Sequence, residues 1–199
     1  GEAQFRNVRI LGRDPFDPAA RIERELAMQR VLTDASKRTP GTFTGFAPPE
    51  LGRLQYVQGE PQQLEALRGR PVMLMFWSPA QDRVIPCTSW LRNALERGAA
   101  RGLTTVVVCD PGTTAADLKA YLAEKPLPGA HVAIDGEGRT YDAYFLKAGF
   151  FGMPRTLLID RKGIVLFEGD PGLRRGQEWQ PSEGPTYVDG PLDKLLGGG

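Results

Sequence analysis

Three side chains in this chain carry reactive or metal-binding chemistry beyond carboxylates and amines: Cys87, Cys109 and His131. Cys87 closes the run Val84-Ile-Pro-Cys87, directly ahead of Thr88–Ala100, which has the composition of a helix. Just upstream, Val72 to Trp77 is an unbroken apolar run after Gly69 and Pro71, which reads as a strand buried on both faces. A thiol is thus placed where a helix begins, at the carboxyl end of a central strand. Ligands and chemistry collect at that edge of an α/β sheet, and free amides with the helix dipole favour a thiolate there. The chemistry would be nucleophilic, by way of mixed disulfides. The plainer reading is a small apolar core residue.

The other candidates are weaker. Cys109 ends Leu103–Cys109, rich in β-branched residues, and reads as an inert core cysteine. A Cys87–Cys109 disulfide requires Cα atoms within about 7 Å. His131 precedes a short strand, Val132–Ile134, and is expected to be structural. Two thiols and one imidazole cannot supply four ligands, so no structural zinc site is expected, and nothing calls for a cofactor. Asp82 and Arg83 sit in the polar stretch Ser78–Arg83 and are expected to be solvated charges, with Trp77 packing beside them.

The elements that must position Cys87 follow from periodicity and turn residues. Asp17-Pro18 resembles a helix start, and a loose apolar stripe from Ile22 to Ala35 predicts an N-terminal helix. Thr39–Pro49 is a Thr/Gly/Pro-rich linker, and Leu51–Val57 a candidate edge strand. After the strand and helix around Cys87, Gly102 stops the helix. Leu103–Cys109 is a strand, Ala115–Glu124 a helix, Val132–Ile134 a strand and Tyr141–Lys147 a helix. Thr156–Asp160 and Ile164–Glu168 flank a tight turn as a hairpin. A long polar loop, 169–190, carries Trp179 and Tyr187 and leads to a short last helix, Pro191–Leu196. The organisation is a helical arm and linker over residues 1–49, then an α/β domain over 50–199. Strand–helix alternation with a closing hairpin predicts a mixed central sheet flanked by helices.

Composition narrows the function. The chain has 25 basic and 24 acidic residues, a net charge of +1 and 41% hydrophobic content. That balance gives no footprint for nucleic acid, and the longest apolar run is too short to span a bilayer. Two cysteines are too few for a disulfide scaffold.

Several motifs, in order, resemble the thioredoxin-like superfamily, above all the exported reductases of the TlpA and ResA type that shade into the AhpC/TSA redoxins. Leu67-Arg-Gly-Arg-Pro-Val-Met-Leu-Met75 resembles the entry into the central strand, and Phe76-Trp77 the aromatic pair before the active site. Ile85-Pro86-Cys87 matches the end of a Cys-x-Pro-Cys motif. Gly152-Met-Pro154 before Arg155 and Thr156–Asp160 resembles the segment whose proline is cis. The resemblance implies a thioredoxin-like fold and a periplasmic or other extracytoplasmic location. It also implies a protein or peptide groove beside Trp77, Val84, Pro86, Met153, Pro154 and Arg155. It breaks at the chemistry. The first cysteine position holds Val84, and Met75 stands where many thioredoxins keep a buried carboxylate. Any redox role rests on Cys87, so a two-cysteine cycle is not expected. The alternatives are a non-catalytic peptide-binding protein and, further off, a peroxiredoxin-like enzyme in which Arg155 would lower the Cys87 pKa.

Overall fold

The structure is a computed structural model describing residues 43–82, 87–146, 153–169 and 188–197; for Gln81 and Leu146 it describes the backbone only. The expected N-terminal helix, Val84, Pro86 and most of the 169–190 loop lie outside the described residues. The chain divides into two units, Gly1–Thr39 and Pro40–Gly199, and all the described residues belong to the second.

Six strands form one mixed sheet: β1 (Gln55–Gln58), β2 (Val72–Phe76), β3 (Thr104–Cys109), β4 (Ala130–Ile134), β5 (Arg155–Ile159) and β6 (Val165–Gly169). Their order is β1-β4-β3-β2-β5-β6. Strands β2, β3 and β4 run parallel, whereas β1, β5 and β6 pair antiparallel with their neighbours. The helices are α1 (Pro79–Asp82), α2 (Thr88–Ala99), α3 (Ala115–Glu124), α4 (Arg139–Tyr141, continued by a π-helical stretch Asp142–Leu146) and α5 (Asp189–Leu195).

β2 has no polar alternation because both its faces are covered: all five of its residues are buried. Its side chains still alternate between two cores, as the two-residue period of a strand requires. Met73, Met75 and Trp77 pack with Cys87 and Leu91 beside α2, and with Leu118 of α3 and Leu192 of α5. Val72, Leu74 and Phe76 pack on the other face with Tyr144, Phe145, Leu157 and Ile159. Helix α2 lies close on the first face, where a Cβ at Gly98 would stand 2.4 Å from the Leu103 side chain. Gly102, at φ +73°, then turns the chain into β3, a conformation that suits glycine.

Several elements differ from expectation, among them β4, which begins at Ala130 and so contains His131. Ser78–Arg83 is not all loop, because Pro79–Asp82 forms the short helix α1. The edge strand is Gln55–Gln58 rather than Leu51–Val57: Leu51 is buried in the second core, and the Gly52 amide donates to Thr140 Oγ1 at 2.8 Å. The Thr39–Pro49 stretch is not wholly a linker, since Thr44 bridges to Val165 of β6 and the Gly45 amide donates to the Val165 carbonyl at 2.8 Å.

Candidate functional site

The sequence path β2–α1–α2 builds the site. Past the end of β2, the Trp77 amide donates to the Val108 carbonyl at 3.0 Å, which continues the parallel pairing. The chain then turns through α1, and Cys87 is the N-cap residue of α2. Its side chain makes no cap hydrogen bond. The cap comes instead from Asp82, a residue 3% exposed. Asp82 Oδ1 accepts from the Cys87 amide at 3.0 Å, the Thr88 amide at 3.0 Å and Thr88 Oγ1 at 2.5 Å. Asp82 Oδ2 accepts from the Tyr121 hydroxyl at 2.5 Å and Lys125 Nζ at 3.1 Å. Thr88 Oγ1 and the Tyr121 oxygen also lie 2.6 Å apart, so two hydroxyl protons serve three short contacts.

This geometry overturns the expectation that Asp82 is a solvated charge. Burial works against its ionised form, but the donors from Thr88, Tyr121 and Lys125 outweigh that and hold its carboxyl below the ordinary value of 3.8. The Tyr121 phenol moves the opposite way, pushed up by burial, by donation to Asp82 and by the neighbouring Cys87. The Trp77 ring packs edge-on against Tyr121 at 5.0 Å between centroids.

Cys87 is 1% exposed and belongs to the core on the α2 face. Cys109 is fully buried, and burial followed by the nearby Asp110 pushes its thiol up. Neither cysteine is in a disulfide.

The remaining expected site residues are dispersed. Trp77 is fully buried, so it packs under the site rather than lining a surface groove. Val84 and Pro86 lie outside the described residues. Met153 is half-buried, and the Met153–Pro154 peptide bond is cis. Arg155 is buried and lies opposite Phe76 in register, on the face away from Cys87. Its guanidinium donates to Glu168 at 2.8 Å and to the Tyr144 carbonyl at 2.7 Å. It therefore acts in the core beneath β5 and β6 and is not available to polarise the thiol. His131 Nδ1 accepts from the Glu60 amide at 3.1 Å. Among the described residues no cluster of three or more metal-binding side chains occurs, and no helix is long and apolar enough to cross a membrane.

Reading by residue type missed Asp82, Thr88, Tyr121 and Lys125. The available signal was an acidic residue shortly before a helix whose own N-cap, a cysteine, caps poorly. β2 carries no carboxylate, yet a buried carboxylate is present at the site, supplied from α1.

No family model matches the chain, and no curated protein does. Solved structures do. One described as the thiol:disulfide interchange protein DsbE of Chlorobium tepidum is 29% identical, covering 64% of this chain and 84% of that one, with a TM-score of 0.50. An uncharacterized conserved protein of Geobacillus kaustophilus reaches a TM-score of 0.60 at 16% identity, covering 78% of this chain and 82% of its own. The exposed lipoprotein thioredoxin of Streptococcus pneumoniae is 19% identical, covering 61% and 89% respectively, with a TM-score of 0.50. With its mixed six-stranded sheet, the helices that flank it and these neighbours, the chain belongs to the thioredoxin-like superfamily, as a member whose sequence keeps Cys87 and has valine at position 84.

Proposed function

We propose that this chain is a relative of the thiol-disulfide oxidoreductases that does not exchange disulfides at this site and instead binds a protein or peptide partner non-covalently. The observation that carries the reading is the burial of Cys87, 1% exposed inside a packed core. Exchange begins with in-line attack by an accessible thiolate on a disulfide sulfur. A thiol enclosed in this way has no approach for a substrate sulfur. The partner segment would lie at the start of β5, beside half-buried Met153 and next to Pro154.

Two measurements test this. Iodoacetamide labelling of the native chain, mapped by peptide mass spectrometry, is expected to modify Cys87 only slowly, and insulin reduction is expected to show no turnover. Labelling within seconds, with a pH midpoint well below the free-cysteine value of about 8.5, would overturn the reading. For the binding half, a reduced and carboxymethylated insulin B chain cannot exchange disulfides. Titrated into labelled protein, it is expected to shift amide resonances near Met153–Thr156, and a flat titration there counts against that groove.

A second reading keeps Cys87 as a lone nucleophile that forms mixed disulfides. Its place at the amino end of α2 favours this and its burial opposes it. A peroxidase reading is weaker still, because Arg155 is on the other face of the sheet and paired with Glu168. We also place the chain outside the cytoplasm, as the description of the pneumococcal neighbour suggests. Fractionation of cells expressing the gene tests that placement.

A further inference from the structure

We infer that Asp82 is a positioning residue that holds Cys87 silent electrostatically: its carboxylate occupies the anion seat at the amino end of α2 that a Cys87 thiolate would otherwise draw on. The inference rests on the reading of Cys87 as a non-exchanging thiol and supplies its cause. The amino end of a twelve-residue helix offers unpaired amides and a partial positive charge. Here the amides of Cys87 and Thr88 both donate to Asp82 Oδ1 at 3.0 Å. The seat is filled by an internal anion, anchored from its other oxygen by Tyr121 and Lys125. A Cys87 thiolate would find those donors engaged by a carboxylate that is already bonded to the residue's own amide. Burial restricts access and, by desolvation, also disfavours the thiolate, whereas the carboxylate opposes ionisation through its charge. Two barriers of different origin therefore act on one sulfur, and they can be separated.

Asp82→Asn separates them, because it keeps the side chain's shape and an accepting oxygen but removes the charge. Cys109, deep in β3, is the internal control for general opening of the fold. In Asp82→Asn, iodoacetamide labelling of Cys87 is expected to quicken about tenfold, the equivalent of one unit in the midpoint of its pH–rate curve. That midpoint is expected to move to lower pH, with thiolate absorbance near 240 nm moving in parallel, while Cys109 stays unlabelled. Asp82→Glu, which keeps the charge, is expected to hold the wild-type midpoint. An unchanged Cys87 midpoint in Asp82→Asn overturns the inference and leaves burial as the sole barrier. Equal acceleration at Cys87 and Cys109 also overturns it, by showing that the substitution merely loosens the core. Rapid labelling of the wild-type chain is a different result, which removes the underlying reading rather than the role of Asp82 alone.

Discussion

Asp82 and Asp135 are buried aspartates at the same edge of one sheet, and each ties down the start of a helix. Asp82 follows β2 through α1 and caps α2. Asp135 directly follows β4, its amide donates to the Cys109 carbonyl at 3.0 Å, and its Oδ2 accepts from the Tyr141 amide at 2.6 Å at the start of α4. Burial pushes both carboxyls up, yet their net shifts have opposite signs. Asp82 is held below the ordinary value because five donors, one of them a cation, converge on its two oxygens. Asp135 is pushed up by burial first, with the charge of Asp142 adding to that effect, while backbone amides only partly offset it. Its Oδ1 has no hydrogen-bond partner among the described residues. The lesson is that depth of burial does not set the charge state of a capping aspartate. The number of donors that converge on the two oxygens decides it.

The comparison is broken most directly by truncation. Asp82→Ala takes the acceptor from two backbone amides and from the paired Thr88 and Tyr121 hydroxyls, and is expected to cost about 3 kcal/mol of unfolding free energy. Asp135→Ala removes a cap that is only half used and is expected to cost about 1 kcal/mol. Urea unfolding of both variants checks this, and an equal or reversed order dissolves the contrast.

The next effect sharpens it through pH. Asp82 has a folded-state pKa below its ordinary value of 3.8, so the stability it contributes is present above that value and is lost as the pH falls below it. Asp135 has a raised pKa, so its contribution is complete below the same value and is lost as the pH rises through the folded-state pKa. The stability gap between wild type and Asp82→Asn is therefore expected to stay flat from pH 7 to about 5 and to close at lower pH. Between wild type and Asp135→Asn, wild type is expected to gain as the pH falls from 7 towards 4. Urea midpoints across this range read both curves; parallel curves would falsify the opposite-sign assignment.

Much of the fold was legible in the sequence for one reason: the parallel strands are buried on both faces, so Val72–Trp77 stands out as an unbroken apolar run and Leu103–Cys109 as a β-branched one. The closing hairpin was legible from Arg161-Lys-Gly163 between two apolar segments. The site was not. Asp82 reads as a surface charge because its partners lie 39 and 43 residues further on, in Tyr121 and Lys125. Local pattern carries no trace of that tertiary convergence. Arg155 was misjudged for the related reason that its neighbour in sequence, Pro154, suggested a groove. The strand's two-residue alternation turns Arg155 to the opposite face, onto Glu168.

Within the Asp82 cluster, Tyr121→Phe removes one neutral hydroxyl donor and keeps the ring against Trp77. The expected cost is about 1 kcal/mol. A loss as large as that of Asp82→Ala would mean that the phenol, rather than the carboxylate, organises the cluster.

The smallest effect belongs to Lys125, and its size is itself informative. Its ammonium lies 3.1 Å from Asp82 Oδ2, but its side chain is 47% exposed while the carboxylate is enclosed. Water screens the exposed partner and the flexible stem loses entropy when held, so such a pair contributes little. Lys125→Met keeps an unbranched apolar side chain but removes the ammonium, which also lies 5.1 Å from the Tyr121 ring centroid, and is expected to cost less than about 0.5 kcal/mol. The same substitution is expected to flatten the dependence of stability on salt between low and physiological ionic strength. Unfolding at two salt concentrations reads both quantities. A cost near that of Asp82→Ala would show that the cation, and not the convergence of neutral donors, separates Asp82 from Asp135.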